Sequence, residues 1–172
     1  SPDTEQRVVF VSVDAGALFQ SVFQGVIAKL NAKYDNLYNE RNVVLSATHT
    51  HAAVGGQSHY ALYDITILGF IQQAYDAQVD GIVASIEKAH NDLKPGYILV
   101  NKGDLSNASY NRSLTAYEQN PSAERVKHGS DTQKEMTVLK LMHSGNQEVG
   151  MINWFATHPN AMGKDLQLLS GD

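Results

Sequence analysis

The densest group of chemically capable side chains is Thr48-His49-Thr50-His51, where one residue separates two imidazoles at the end of the apolar run Asn42 to Ala47. In an extended chain, residues two apart project to the same face, so both rings can approach one ion or one substrate atom. Two polar residues at a strand end, hydrogen-bonded to backbone, would produce the same pattern, and a His-x-His pair alone does not choose between the two. A third imidazole, His158, follows Trp154-Phe155-Ala156-Thr157, again an apolar run entering a polar turn. Two strands that each deliver a histidine to one sheet edge would suit a metal site, because rigid elements hold ligands better than loops do. From spacing alone, His158 reads equally well as a surface histidine beside a proline. Arg112, inside Asn111-Arg112-Ser113, offers a planar fork of donors for a carboxylate or an oxyanion, or else is simply solvated. No role is assigned to His59, His90, His128 or His143.

The elements that must position these groups alternate between strand and helix. Val8 to Val13 is β-branched and apolar on both faces, which predicts a buried strand ending at Asp14-Ala15-Gly16. Leu18, Val22, Val26, Ile27 and Leu30 recur at helical spacing up to Tyr34, and Asn42 to Ala47 forms a second strand. A β-α-β unit with parallel strands and a right-handed crossover is the default reading. Ile71, Tyr75, Val79, Ile82, Ile86 and Leu93 form a stripe that predicts a long amphipathic helix ending before Pro95-Gly96, followed by a strand over Tyr97 to Val100. Lys102 to Thr132 is polar and aperiodic, which predicts a long loop on the substrate side. Met136 to Met142 and Val149 to Phe155 flank Ser144-Gly145-Asn146 and read as a β-hairpin. The expected fold is α/β, a mixed sheet with β-α-β units and a β-hairpin. It spans residues 1–172 with no internal boundary, as part of a larger catalytic domain whose two ends here look cut.

Composition narrows the function classes. With 172 residues, 42% of them hydrophobic, the chain can bury a sizeable core, and a disordered class is excluded. The formal charge of -5, with both signs interspersed, argues against a phosphate-binding face and hence against a nucleic-acid partner. The absence of cysteine excludes disulfides, thiolate metal sites and a cysteine nucleophile, so any metal must sit on His, carboxylate or Tyr. The apolar runs are too short to span a bilayer and the opening SPDTEQR lacks a signal-peptide pattern, so the chain as given is expected to be soluble. The sequons Asn107-Ala-Ser109 and Asn111-Arg-Ser113 favour a secreted or cell-surface protein, with Asn107 the better acceptor because a glycan on Asn111 would crowd Arg112.

Taken together, the segments resemble the neutral ceramidase family over essentially the whole chain. The matching stretches are FVSVDAG at Phe10, THTH at Thr48 with Gly55-Gly56, and VDGIVASIEKAH from Val79. They continue through LKPG at Leu93, NKGDL at Asn101, NRS at Asn111, DTQKEMTVLK at Asp131, WFATHP at Trp154 and SGD at Ser170. The resemblance implies a zinc amidase that splits ceramide into sphingosine and a fatty acid, with His49 and His158 as zinc ligands. It implies that His51 neighbours the metal-bound water or substrate, and that Arg112 is the active-site arginine. The remaining ligands, a Glu and a Tyr, and the family's active-site serine are expected beyond Asp172. The substrate also implies a membrane surface as a partner of the full-length protein.

Two departures from the family pattern lie beside this site. Ala53-Val54 stand where the family usually has Gly-Pro, and Asn160-Ala161-Met162 follow WFATHP where the family often places Ser before Met. They motivate an alternative, a catalytically inactive homologue that binds lipid or another partner. A further alternative is a processed structural subunit paired with a separate chain that supplies the missing ligands.

Overall fold

The structure is a computed structural model, and it describes residues 6–158, 160–163 and 165–171. The opening SPDTE, Pro159 of WFATHP and Asp172 of the terminal SGD lie outside the described residues. The chain forms two compact units, one made of the residues up to Leu93 with the stretch after His158, the other running from Lys94 to His158.

In the first unit, β1 (Val9–Val13) pairs in parallel with β2 (Val43–Ala47), in register from Val9 opposite Val43 to Val13 opposite Ala47. The crossover between them is α1 (Gln20–Tyr34), and α3 (Gln72–Asn91) packs beside it. Between β2 and α3 lies the short helix α2 (Ala61–Asp64), followed by a 3-10 turn, Ile65–Ile67. Helix α1 buries Val22, Val26, Ile27 and Leu30, and α3 presents Val79, Ile82 and Ile86 to the same core, joined by Tyr38 and Val43. Burying each such aliphatic side chain stabilises the fold by about 1.5–3 kcal/mol, more than helix propensity supplies, so the two stripes decide where the helices lie. Ion pairs Lys29–Asp80 and Lys33–Glu87 line the exposed flank of the helix pair.

Helix α1 begins two residues later than the apolar stripe. Phe19 is extended, with φ -84° and ψ 153°, while Leu18 packs on the core from outside the helix. Hydrophobic spacing reports burial, and a residue can be half-buried without being helical. Leu93 illustrates the converse, since it continues the α3 stripe yet lies past the helix end and is exposed.

The second unit is an antiparallel sheet ordered β3 (Gly96–Asp104), β4 (Glu135–His143), β5 (Glu148–Phe155). The β4–β5 hairpin turns through Gly145 and Asn146, both at positive φ (93° and 66°), the geometry that matches strand twist in a two-residue turn. Parallel and antiparallel pairings are both present, as expected, and are carried by separate sheets. Strand β3 runs four residues beyond Val100, because its polar continuation NKGD still finds backbone partners between Glu135 and Val138. The stretch read as loop also contains α4 (Leu114–Glu118) and α5 (Ser122–His128). Helices of one or two turns are too short to show a periodic stripe. The end signals of α5 were nonetheless present, with Pro121 at its start, Arg125, Lys127 and His128 in its last turn, and Gly129 at φ 65° closing it.

Candidate metal centre

The parallel pairing of β1 and β2 sets their C-terminal ends side by side, the usual place for ligands in α/β sheets. The Thr48 amide donates to the Val13 carbonyl at 3.0 Å, so the ladder continues one residue past β2, and His49 then breaks it by adopting φ 67°. A bulky residue in the left-handed region costs about 1–3 kcal/mol and is held there by its surroundings. Here the holding group is the Gly16 carbonyl, 2.6 Å from His49 Nδ1. A carbonyl only accepts, so Nδ1 carries the proton and the ring lone pair is on Nε2. Metal-binding histidines are commonly oriented by such a bond from the other ring nitrogen.

His49 Nε2 lies 3.4 Å from His51 Nε2, with the rings edge to face at 5.0 Å between centroids. Two imidazoles on one tetrahedral ion, at about 2.0–2.1 Å each, would place their nitrogens about 3.4 Å apart, so the pair has the spacing of a shared ion as well as that of a long N–H···N bond. Both rings are exposed, and together they are a histidine cluster with the donor chemistry of a metal site. The residue between them is used differently. Thr50 is buried, donates from Oγ1 to the Ser170 carbonyl at 2.7 Å and accepts from the Ala52 amide at 3.1 Å, while the Ser170 amide donates to the Ala52 carbonyl at 3.0 Å. The SGD stretch is thereby clamped to the loop that carries the histidines. The Asp14 carboxylate lies close against Gly171, where an added Cβ would stand 2.7 Å from Oδ2. Asp14, Ala52, Ala53, Val54 and Ser170 share the lining of a largely apolar cavity of about 690 Å³.

The backbone beyond the pair is tightly packed. Gly56, at φ 90°, accepts from the Ile71 amide at 2.8 Å, and an added Cβ would meet the Ile71 side chain at 2.8 Å, so only glycine fits. Neither Ala53 nor Val54 is among the residues at positive φ, so replacing a glycine there imposes no left-handed strain.

Of the residues singled out in the sequence, the fold brings together His49 and His51 within the first unit. His158 belongs to the second unit, exposed, three residues past β5, after a tight turn in which the Thr157 amide donates to the Phe155 carbonyl at 2.9 Å. It is also the last residue before the chain returns to the first unit. Arg112 lies exposed in the turn leading into α4. Beside it the Asn111 amide donates to the Asp131 carbonyl at 3.2 Å and its oxygen accepts from the Ser113 amide at 2.8 Å. The Gly16 carbonyl and the Thr50–Ser170 clamp are not legible in the sequence. The only sequence signal for the former was a strand ending in Asp-Ala-Gly, and the latter joins residues 120 positions apart.

All 172 residues match the family model described as neutral/alkaline non-lysosomal ceramidase, N-terminal. The chain belongs to the neutral ceramidase family. It is 49% identical to a neutral ceramidase of Oryza sativa over 97% of its length, and 43% identical to that of Pseudomonas aeruginosa over 97%. It superposes on the crystal structure of the Pseudomonas aeruginosa neutral ceramidase with a TM-score of 0.90 at 42% identity, covering 98% of this chain and 26% of that one. A ceramidase complexed with C2 gives the same TM-score and identity, with 99% of this chain and 26% of that one covered. The chain spans 21% and 25% of the length of the Oryza and Pseudomonas ceramidases, so it corresponds to about a quarter or less of each.

Proposed function

We propose that the protein to which this chain belongs hydrolyses the N-acyl amide of ceramide to sphingosine and a fatty acid, using zinc held by His49 and His158. The observation that carries this reading is His49, oriented by the Gly16 carbonyl so that Nε2 is the metal-facing nitrogen, with His51 beside it, in a chain that belongs to the neutral ceramidase family. When bound, zinc lowers the pKa of a coordinated water and polarises the amide carbonyl. His49 offers Nε2 to the ion because Gly16 holds its Nδ1 proton. His51 stands beside it to take or return a proton at Nε2. Arg112 donates to the developing oxyanion or to the product carboxylate. His158 ends the segment that returns to the unit carrying His49, which fits a second ligand delivered by a strand end. The other ligands and the serine come from sequence outside this chain, and both units belong to one catalytic domain of a secreted or cell-surface protein that works on a membrane lipid.

The test is fatty-acid release from ceramide by the full-length protein, before and after stripping metal and after restoring zinc. Activity should vanish and return with zinc, and His49→Ala and His158→Ala should each abolish zinc retention while His51→Ala keeps the metal and lowers the rate. Retained zinc in both ligand variants would overturn the assignment. Stoichiometric zinc without turnover would favour the inactive lipid-binding homologue, although the unstrained backbone at Ala53 and Val54 favours the enzyme.

A further inference from the structure

The stretch that follows the histidine loop carries an unusual surface. Helix α2 and the 3-10 turn after it project Leu62, Ile65 and Leu68 at three-residue spacing, with exposures of 76%, 64% and 95%. Tyr60, Tyr63, Phe70 and Ile71 surround them and are also exposed. Leu68 is held outward at φ 63°, its amide donating to the Ile65 carbonyl at 3.4 Å. A backbone conformation unfavourable for leucine is here used to present a fully solvated aliphatic side chain.

Charge is as informative as hydrophobicity. From Ala52 to Tyr75 the only Asp, Glu, Lys or Arg is Asp64, and it is 5% exposed. Nothing charged on the outer face of this crown would lose water on entering an apolar phase, the step that makes most surface segments costly to insert. Protein–protein interfaces are normally rimmed by polar and charged groups. Tyrosines bordering a patch of aliphatic side chains are instead what the headgroup boundary of a bilayer accommodates, with the ring body in hydrocarbon and the hydroxyl in water.

The crown is also fastened to the histidine loop. The Ile71 amide donates to Gly56 at 2.8 Å and Ile67 lies 3.0 Å from where a Cβ on Gly55 would stand, while the Tyr60 hydroxyl ties the crown to the start of α1 by donating to Gln20 Oε1 at 2.6 Å. We propose that residues 60–70 are the surface with which the protein seats on a lipid bilayer, placing the histidine loop over the membrane from which its substrate is drawn. This rests on the ceramide-hydrolase reading for its purpose, but on the exposed side chains alone for its existence. The occupant is the outer few ångströms of a bilayer, entered by Leu62, Ile65 and Leu68, with no need for anionic lipid.

The experiment is flotation of the full-length, metal-stripped protein with phosphatidylcholine vesicles, comparing wild type with Leu68→Asp and with the double variant Leu62→Ser, Leu68→Ser. Leu68 supports no core within this chain, at 95% exposed, and the melting temperature of each variant separates loss of fold from loss of docking. Vesicle partition should fall about tenfold or more for each aliphatic side chain removed from the hydrocarbon. With metal restored, release of fatty acid from vesicle-borne long-chain ceramide should fall in proportion, whereas hydrolysis of a monomeric short-acyl ceramide should not change. Equal flotation of wild type and variants overturns the proposal, as does a wild type that never floats. A wild-type dimer that both variants dissociate would assign the crown to a second copy. A lowered melting temperature in Leu68→Asp would assign it to the rest of the same protein. Flotation without fatty-acid release from either substrate would sink the hydrolase reading and leave the docking surface standing.

Discussion

Gly25 lies inside α1, where Gly→Ala ordinarily stabilises a helix by about 1 kcal/mol, yet here the substitution should destabilise. A Cβ at residue 25 would overlap the Tyr75 hydroxyl and stand 3.1 Å from Tyr75 Cζ and from Val79 Cγ2. Val79 is fully buried, and the Tyr75 ring packs in a cluster with Phe70 and His59, with centroids at 5.4 and 5.9 Å, so neither can withdraw without disturbing the α1–α3 seam. Overpacking of this kind costs about 1–3 kcal/mol. Displacing the ring also removes the Tyr75 hydroxyl from the Ser21 carbonyl, at 3.3 Å, a bond worth about 1 kcal/mol. Set against the propensity gain, the net loss is about 1–3 kcal/mol, and hydrogen-exchange protection of the α1 amides should fall by a factor of about 5–150. Removing the overlapping atom tests the cause. In a Tyr75→Phe background, where only the 3.1 Å contacts remain, Gly25→Ala should be neutral to within about 0.5 kcal/mol. Increased α1 protection in Gly25→Ala with Tyr75 intact would refute the close approach of the two helices.

Leu30, fully buried between α1 and α3, should lose about 2–5 kcal/mol on truncation to alanine, read as a lower urea midpoint for the transition that reports the first unit. Lys29 and Lys33 hold their protons above the ordinary value of 10.5, through hydrogen bonds to Asp80 and Glu87 respectively. A raised lysine pKa contributes stability that is fully present below the unfolded value and is lost as pH rises through the folded one. The melting-temperature difference between wild type and Asp80→Asn or Glu87→Gln should therefore be small and constant near neutrality and shrink above pH 10.5. In a secretory host, mass spectrometry should find a glycan on Asn107, exposed at a turn, and none on Asn111, whose amide is bonded to Asp131 and Ser113. Modification at Asn111 alone would contradict this.

Much of the fold was legible because long stripes leave little choice. The core positions Val22, Val26, Ile27, Leu30, Val79, Ile82 and Ile86 were all named by spacing, and each is buried as expected. The strands β1, β2, β4 and β5 were legible as dense β-branched or apolar runs. The short helices α4 and α5 and the polar end of β3 were not, because one turn of helix shows no period and a polar strand is defined by the partner it pairs with. At the candidate site, the residue types of His49 and His51 were visible, but a period-two reading assumes an extended chain, whereas His49 sits at φ 67°. The two rings meet all the same, for a different reason: the left-handed backbone turns His49 so that Gly16 can hold its Nδ1.

The sequence by itself determined which side chains the protein owns, which faces of its long helices are buried, and the ordered motifs that place it in its family, because each of these is written in residue type and local spacing. Only the tertiary structure decided which nitrogen of His49 is offered to an ion, that Thr50 ties the histidine loop to Ser170, and that Leu62, Ile65 and Leu68 stand in water while Asp64 does not. Those outcomes depend on a carbonyl 33 residues away, a clamp across 120 residues and the inward turn of one carboxylate, and a local pattern contains no term for contacts at such separations.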